Sequence, residues 1–204
     1  MIKEMTRFVV ILGLVTALSA GALALVNQIT DPIIQARSQD ALTGAVTVVL
    51  PGSQDGLILT HDQNEGIAYF AGFRNPDTTG LIGYAYRSSA KGYSSTIQTL
   101  VGVDSAGSIL AIQVLSQQET PGLGTRCQEI RRSETEPWWQ AQFRGKRISE
   151  IAVDKDNGII RSITGATITS RAVTDGIRKQ VQGLLPVWNT ETIEQASVKS
   201  RSRS

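Results

Sequence analysis

The chain has 204 residues, 41% hydrophobic and 19% charged, enough for one globular domain plus an anchor or tail and too apolar for a disordered chain. Its formal charge of +2 gives no electrostatic case for nucleic acid as a partner. With one cysteine, Cys127, and one histidine, His61, the chain holds no internal disulfide, no metal or iron–sulfur site of its own built from cysteines and no His-pair zinc site; a Ser/His/Asp triad would rest on a single residue.

From Phe8 to Val26 the chain carries no charge, and at about 1.5 Å per helical residue this run matches the thickness of a bilayer core. Lys3 and Arg7 precede it and the next basic residue is Arg37, so the positive-inside bias puts residues 1–7 in the cytoplasm, 8–26 across the membrane as a single span, and the rest outside. A cleavable signal peptide is the competing reading, given the small-residue run Ser19-Ala20-Gly21-Ala22. Both readings export the domain.

Thr30-Asp31-Pro32 is a helix-start signal, and the apolar positions that follow predict a juxtamembrane helix over 27–52, stopped by Pro51-Gly52. Gly66–Ala71, Leu81–Arg87, Thr96–Asp104 and Ser108–Leu115 read as strands of an antiparallel sheet, the last two joined by the turn Asp104-Ser105-Ala106-Gly107. Trp138, Trp139 and Phe143 mark a packed short helix after Pro137. Tandem tryptophans of this kind serve more often as core or interface anchors than as ring-stacking residues. Ile159–Ile163 reads as a further strand, and Ala172, Val173, Ile177, Val181 and Leu184 recur at helical spacing from Thr169 until Pro186. His61 is expected in an exposed loop and Cys127 partly buried. Lys199, Arg201 and Arg203 make 189–204 a basic tail. The fold class is α+β: an N-terminal transmembrane helix, then one exported domain over 53–188 with a mainly antiparallel sheet and flanking helices.

Between the last strand and helix lies Thr164-Gly165-Ala166-Thr167-Ile168-Thr169-Ser170. Gly165 permits close backbone approach, Ala166 adds little bulk, and hydroxyls open a helix whose free N–H groups and dipole favour an anion. Taken alone, Thr-Gly followed by hydroxyls is more often an ordinary turn and N-cap, and it gives an anion site without a ligand identity. The stretch resembles the flavinylation motif shared by Rnf G subunits and the C subunits of sodium-pumping quinone reductases, in which the last Thr of a TGAT or SGAT core carries FMN through a phosphoester installed by a dedicated flavin transferase. The resemblance implies FMN on Thr167, with Thr164, Gly165 and Ala166 completing the core. Where the family motif usually has Asp six residues before the acceptor, this chain has Arg161.

Further matches follow in the family's order. Glu119-Thr120-Pro121-Gly122-Leu123-Gly124 is similar to the ETPGLG loop near the flavin, and Gly92-Tyr93 followed by Ile97–Asp104 is similar to the segment entering the central hairpin. On its own, ETPGLG is a surface turn with proline fixing one dihedral and two glycines free to take positive φ. The functional reading of the same loop is that its compact backbone packs against a planar ring and limits solvent, Leu123 covers one face, and the Glu119 charge disfavours an anionic reduced flavin.

The resemblance covers the chain to about Trp188. It implies a subunit of a membrane-bound, ion-translocating ferredoxin:NAD oxidoreductase complex in a bacterial inner membrane, with its flavin domain on the periplasmic side. Its partners would be the other Rnf subunits, both membrane and iron–sulfur or flavin subunits, and the flavin transferase during maturation. No general acid or base and no GxGxxG after a strand stands out, so NADH oxidation falls to a partner and this chain relays electrons. Two alternatives stay open: a stand-alone exported FMN-binding electron carrier, and a flavin-free membrane-anchored scaffold whose TGAT turn is a helix cap.

Overall fold

The computed structural model describes residues 2–53, 58–61, 69–77 and 79–181. The chain divides into two compact units, Met1–Thr43 and Gly44–Ser204. The first unit is helical. One helix, α1, runs Ile2–Val49, and within it Met5–Ile34 is long and apolar enough to cross a bilayer, with mean hydropathy 2.5 and its most apolar stretch fully exposed.

The helix start expected at Thr30-Asp31-Pro32 is not there, because Pro32 lies inside α1. The Thr30 hydroxyl donates back to the Val26 carbonyl at 2.9 Å instead of capping a new turn. Proline deletes one N–H and crowds the carbonyl one turn back, but its φ suits a helix, and a helix already nucleated over many turns absorbs that local cost and continues. The separate helix expected over 27–52 is therefore the C-terminal part of α1.

In the second unit the last turns of α1 bury Ala45, Val46 and Val49, and Leu50 follows, also buried. Five strands then form an antiparallel meander in sequence order: β1 (Ile58–His61), β2 (Tyr69–Phe73), β3 (Leu81–Lys91), β4 (Thr96–Val103) and β5 (Ile109–Ser116). Strands β2 to β5 lie on the four stretches the sequence pattern picked out; Gly66–Ala68, the start of the first, is outside the described residues. β1 is an addition, and it makes His61 a strand residue, not a loop residue. The β4–β5 turn closes on Asp104, whose Oδ1 accepts the N–H of Ala106 and of Ser108 at 2.9 and 2.8 Å.

Both sheet faces are covered, which is why β4 is buried almost throughout and lacks the alternation of a half-exposed strand. On one face small residues run across the sheet: Gly72 opposite Gly83, Ala85 opposite Gly102, and Gly102 opposite Ala111. A Cβ on Gly72 would lie 2.7 Å from Leu50 Cδ1, and one on Gly102 would overlap the Val49 carbonyl. Backbone bareness here lets the end of α1 lie on the strands. The opposite face receives helix α2, residues 167–181. The Tyr86 hydroxyl donates to the Ile177 carbonyl at 3.2 Å, and a Cβ on Gly176 would come within 2.8 Å of Ala90 Cβ. The stop expected at Pro186 and the basic tail fall outside the described residues.

Short 3-10 turns pack the remaining side. Trp139, just before the turn Gln140–Phe143, and Phe143, its last residue, are fully buried, edge to face with centroids 5.1 Å apart; Trp138 instead lies beneath the Arg131 guanidinium, 3.8 Å from the ring centroid. Both tryptophans are packing residues. Ile159–Ile163 is not a strand. Apart from one parallel bridge, Val153 to Ile160, its N–H groups go to side chains from separate segments: Arg161 to Gln142 Oε1, Ser162 to Asp154 Oδ1 and Ile163 to Ser170 Oγ, at 2.9–3.1 Å. Buried Ile160 and Ile163 explain the strand-like pattern, while the backbone bonds are satisfied without a neighbouring strand.

Candidate functional site

Three segments distant in sequence meet at the N-terminus of α2: the turn Gly92–Ser95 between β3 and β4, the loop Glu119–Gly124 after β5, and Thr164–Ser170. Between them lies a pocket of about 540 Å³ lined by Tyr93, Glu119, Thr120, Leu123, Gly124 and the backbone and side chains of 165–169, a size suited to a small organic ligand. Tyr93, Leu123 and Ile168 are 68%, 42% and 51% exposed. They form an apolar rim.

Thr167 is the first residue of α2, where the opening N–H groups have no carbonyl one turn back to bond. Ser170 N is the first to close a helical bond, to the Ala166 carbonyl at 3.0 Å. The neighbouring hydroxyls are committed: Thr169 Oγ1 donates to Glu119 Oε2 at 2.5 Å, and Ser170 Oγ donates to the Ala166 carbonyl at 3.0 Å while accepting the Ile163 N–H. The half-buried Thr167 hydroxyl has no hydrogen-bond partner among the described residues. It stands on the pocket wall beside unpaired N–H groups and the positive end of a helix dipole, an arrangement that receives a phosphate. Gly165 turns the chain into this position at φ +80°, and a Cβ there would press on Leu123 Cδ2 at 2.9 Å.

Glu119 holds the three segments together. Only 4% exposed, its carboxylate accepts the N–H groups of Tyr93, Ser94 and Ser95 at 3.1, 3.0 and 2.9 Å, the Ser95 hydroxyl at 3.1 Å, and Thr169 Oγ1. Burial alone would push its pKa up. The Thr169 hydroxyl and then the N–H groups of Ser95, Ser94 and Tyr93 outweigh burial and hold the pKa at about 2. Glycines make room for it: a Cβ on Gly92 would be 2.6 Å from Glu119 Oε1, and one on Gly124 would be 2.5 Å from Glu119 Cβ.

Of the residues singled out in the sequence, Glu119, Thr120, Leu123, Gly124, Gly165, Ala166 and Thr167 line the pocket. Thr164, Pro121 and Gly122 do not; all three are exposed, with Gly122 at φ +74° shaping the loop. Sequence reasoning missed Tyr93, Ile168 and Thr169 as wall residues. For Thr169 the available signal was a hydroxyl on the inward face of a helix start, but its partner is 50 residues away. Arg161 has its backbone fixed at both ends, the carbonyl accepting Trp139 Nε1 at 2.9 Å, and its side chain is exposed. Cys127 is fully buried, and burial followed by the Glu119 charge pushes its thiol up to about 11. No group of three or more metal-ligating side chains occurs among the described residues.

Two family models match the chain: FMN-binding domain over residues 92–182 and RnfG N-terminal region over 1–49. Among curated proteins, the G subunit of the Na(+)-translocating ferredoxin:NAD(+) oxidoreductase complex of Acetobacterium woodii is 30% identical, covering 88% of this chain and 91% of that one. The G subunit of the ion-translocating oxidoreductase complex of Pseudomonas aeruginosa is 33% identical over 88% of each chain, and that of Haemophilus influenzae 29% identical over 97% and 98%. The crystal structure of Shewanella oneidensis NqrC aligns with a TM-score of 0.44 and 22% identity over 59% of this chain and 61% of that one, too slight a likeness to bear on the site.

Proposed function

This chain belongs to the G-subunit family of ion-translocating oxidoreductase complexes, and from that premise we propose that it is the electron-relay subunit of a membrane-bound ferredoxin:NAD oxidoreductase complex, with FMN esterified through its phosphate to Thr167 Oγ1. The observation that carries the reading is the Thr167 hydroxyl, uncommitted among the described residues, at the pocket wall and at the first residue of α2. Bound flavin would supply the electron-carrying chemistry.

The chain's own residues have distinct tasks. The opening N–H groups of α2 and its dipole neutralise phosphate charge beside Thr167. Tyr93, Leu123 and Ile168 give a flat ring apolar contact and displace water from it. Thr164, Pro121 and Gly122 shape the two loops from outside the pocket; the remaining members of both loops touch the ligand. The Glu119 carboxylate is already saturated with hydrogen bonds, which suits holding the loops in place better than shuttling a proton.

Met5–Ile34 anchors the chain in the membrane, and Lys3 and Arg7 favour a cytoplasmic N-terminus with the flavin domain on the periplasmic side of the inner membrane. The other subunits of the complex are the electron donor and acceptor, and a flavin transferase makes the ester. Intact mass and in-gel flavin fluorescence of the denatured protein, produced with its flavin transferase, test the reading. Wild type should gain the mass of FMN less water and fluoresce, and Thr167→Ala should do neither. Unmodified wild type, or a fluorescent Thr167→Ala, would refute it. Co-purification with membrane redox subunits separates a complex subunit from a stand-alone carrier.

A further inference from the structure

We infer that Glu119 is a positioning and tuning residue for the flavin: it fixes the loops that carry Tyr93 and Leu123 around Thr167, and it leaves a buried negative charge, with no ion-pair partner among the described residues, in the wall of the pocket. The inference rests on the proposed function and adds a role for one residue within it.

The positioning half follows from connectivity. Glu119 belongs to the 119–124 loop, its Oε1 binds the Ser94 and Ser95 end of the β3–β4 turn, and its Oε2 binds Tyr93 N and Thr169 Oγ1, two residues beyond Thr167. One side chain thus spans every segment of the pocket. Gly92 and Gly124 both abut it so closely that a Cβ on either would collide with it, so the site is shaped around a carboxylate of this length.

The tuning half follows from charge. All five donors are neutral N–H or O–H groups, and among the described residues Glu119 makes no ion pair. Hydrogen bonds of this kind stabilise the anion without cancelling its field at a neighbouring ligand. Glutamine fills the same volume with no charge but keeps only one accepting oxygen, so its NH2 faces donors on one side; folding and flavin content are therefore read beside the potential, and the charge by the sign of the shift. When a donor subunit, or dithionite in the laboratory, delivers two electrons and one proton arrives with them, the ring gains one net negative charge. Glu119 opposes that gain and holds the reduction equilibrium toward the oxidised form.

Two variants of the full-length protein, produced with the flavin transferase, test this by reductive titration against a reference dye, with covalent flavin content measured separately by denaturing fluorescence. Glu119→Gln removes the charge and should shift the reduction equilibrium toward the reduced form by about tenfold, about 30 mV for a two-electron couple. Ser95→Ala keeps the charge and removes one dipole that partly offsets it, and should shift the equilibrium about twofold to threefold the other way. Opposite signs at normal flavin content support the inference; a purely structural role predicts no such sign reversal. Unchanged potentials, or shifts of one sign in both, overturn it while leaving the flavin assignment intact. If Glu119→Gln does not fold, the sign of the Ser95→Ala shift decides. Wild type lacking covalent flavin would instead overturn the proposed function, and this inference with it.

Discussion

Glu119 is ionised in the folded protein down to about pH 2, against an ordinary value of 4.5. A depressed carboxylate pKa stabilises the fold above the unfolded value, and that contribution drains away as pH falls from about 4.5 toward 2, where both states are protonated. Its upper bound is on the order of 3 kcal/mol from the size of the shift. Urea unfolding of wild type should therefore lose stability steeply between pH 4.5 and 2, and Glu119→Gln should lose less over that interval; parallel pH profiles would refute this. Sequence supplied the ETPGLG loop and Thr167, because those residues are contiguous or belong to a short motif. It supplied the carboxylate's charge beside the flavin but not the hydrogen bonds by which it ties three segments together. Its donors lie 24 to 26 residues upstream and 50 downstream, and nothing in a turn of Ser and Tyr announces a buried anion.

Among elements, the segment 159–163 best displays the limits of pattern reading. Alternating Ile160 and buried neighbours look like a strand, yet what holds the segment is side-chain acceptors on Gln142, Asp154 and Ser170. Periodicity reports which side chains are inside and is silent about where backbone bonds end. Ser170→Ala would leave the buried Ile163 N–H without its acceptor, at a cost of about 1–3 kcal/mol. Thr164→Ala, at an exposed residue, should stay within about 0.5 kcal/mol. Thermal unfolding of the pair should separate them by several degrees, and equal midpoints would contradict the brace. α1 teaches a related lesson. Thr-Asp-Pro has the chemistry of a helix start, but whether a helix begins there depends on whether one is already running through it.

At the scale of the molecule, the sheet was readable because hydrophobic runs and turn residues punctuate it at short range. The small residues Gly72, Gly83, Ala85, Gly102 and Ala111 read in sequence only as weak strand positions. Their purpose emerges when they align across the sheet and admit Val49 and Leu50. A fragment beginning at Gly44 should thus fold, whereas one beginning at Gly52 would lose buried Val46, Val49 and Leu50, about 1.5–3 kcal/mol for each, comparable in sum to a domain's whole stability. Circular dichroism and urea unfolding of the two fragments check this, and equal stability would mean the end of α1 is dispensable.

The burial of Cys127 has a consequence for the redox chemistry of the chain. A lone thiol in an oxidising compartment invites cross-linking between chains, but this one is 0% exposed, and its pKa near 11 leaves almost no thiolate at neutral pH. Native protein should ignore Ellman's reagent and release one equivalent of thiol only in denaturant. Once the domain is folded, its one cysteine is withdrawn from disulfide exchange, whatever thiols or oxidants surround it.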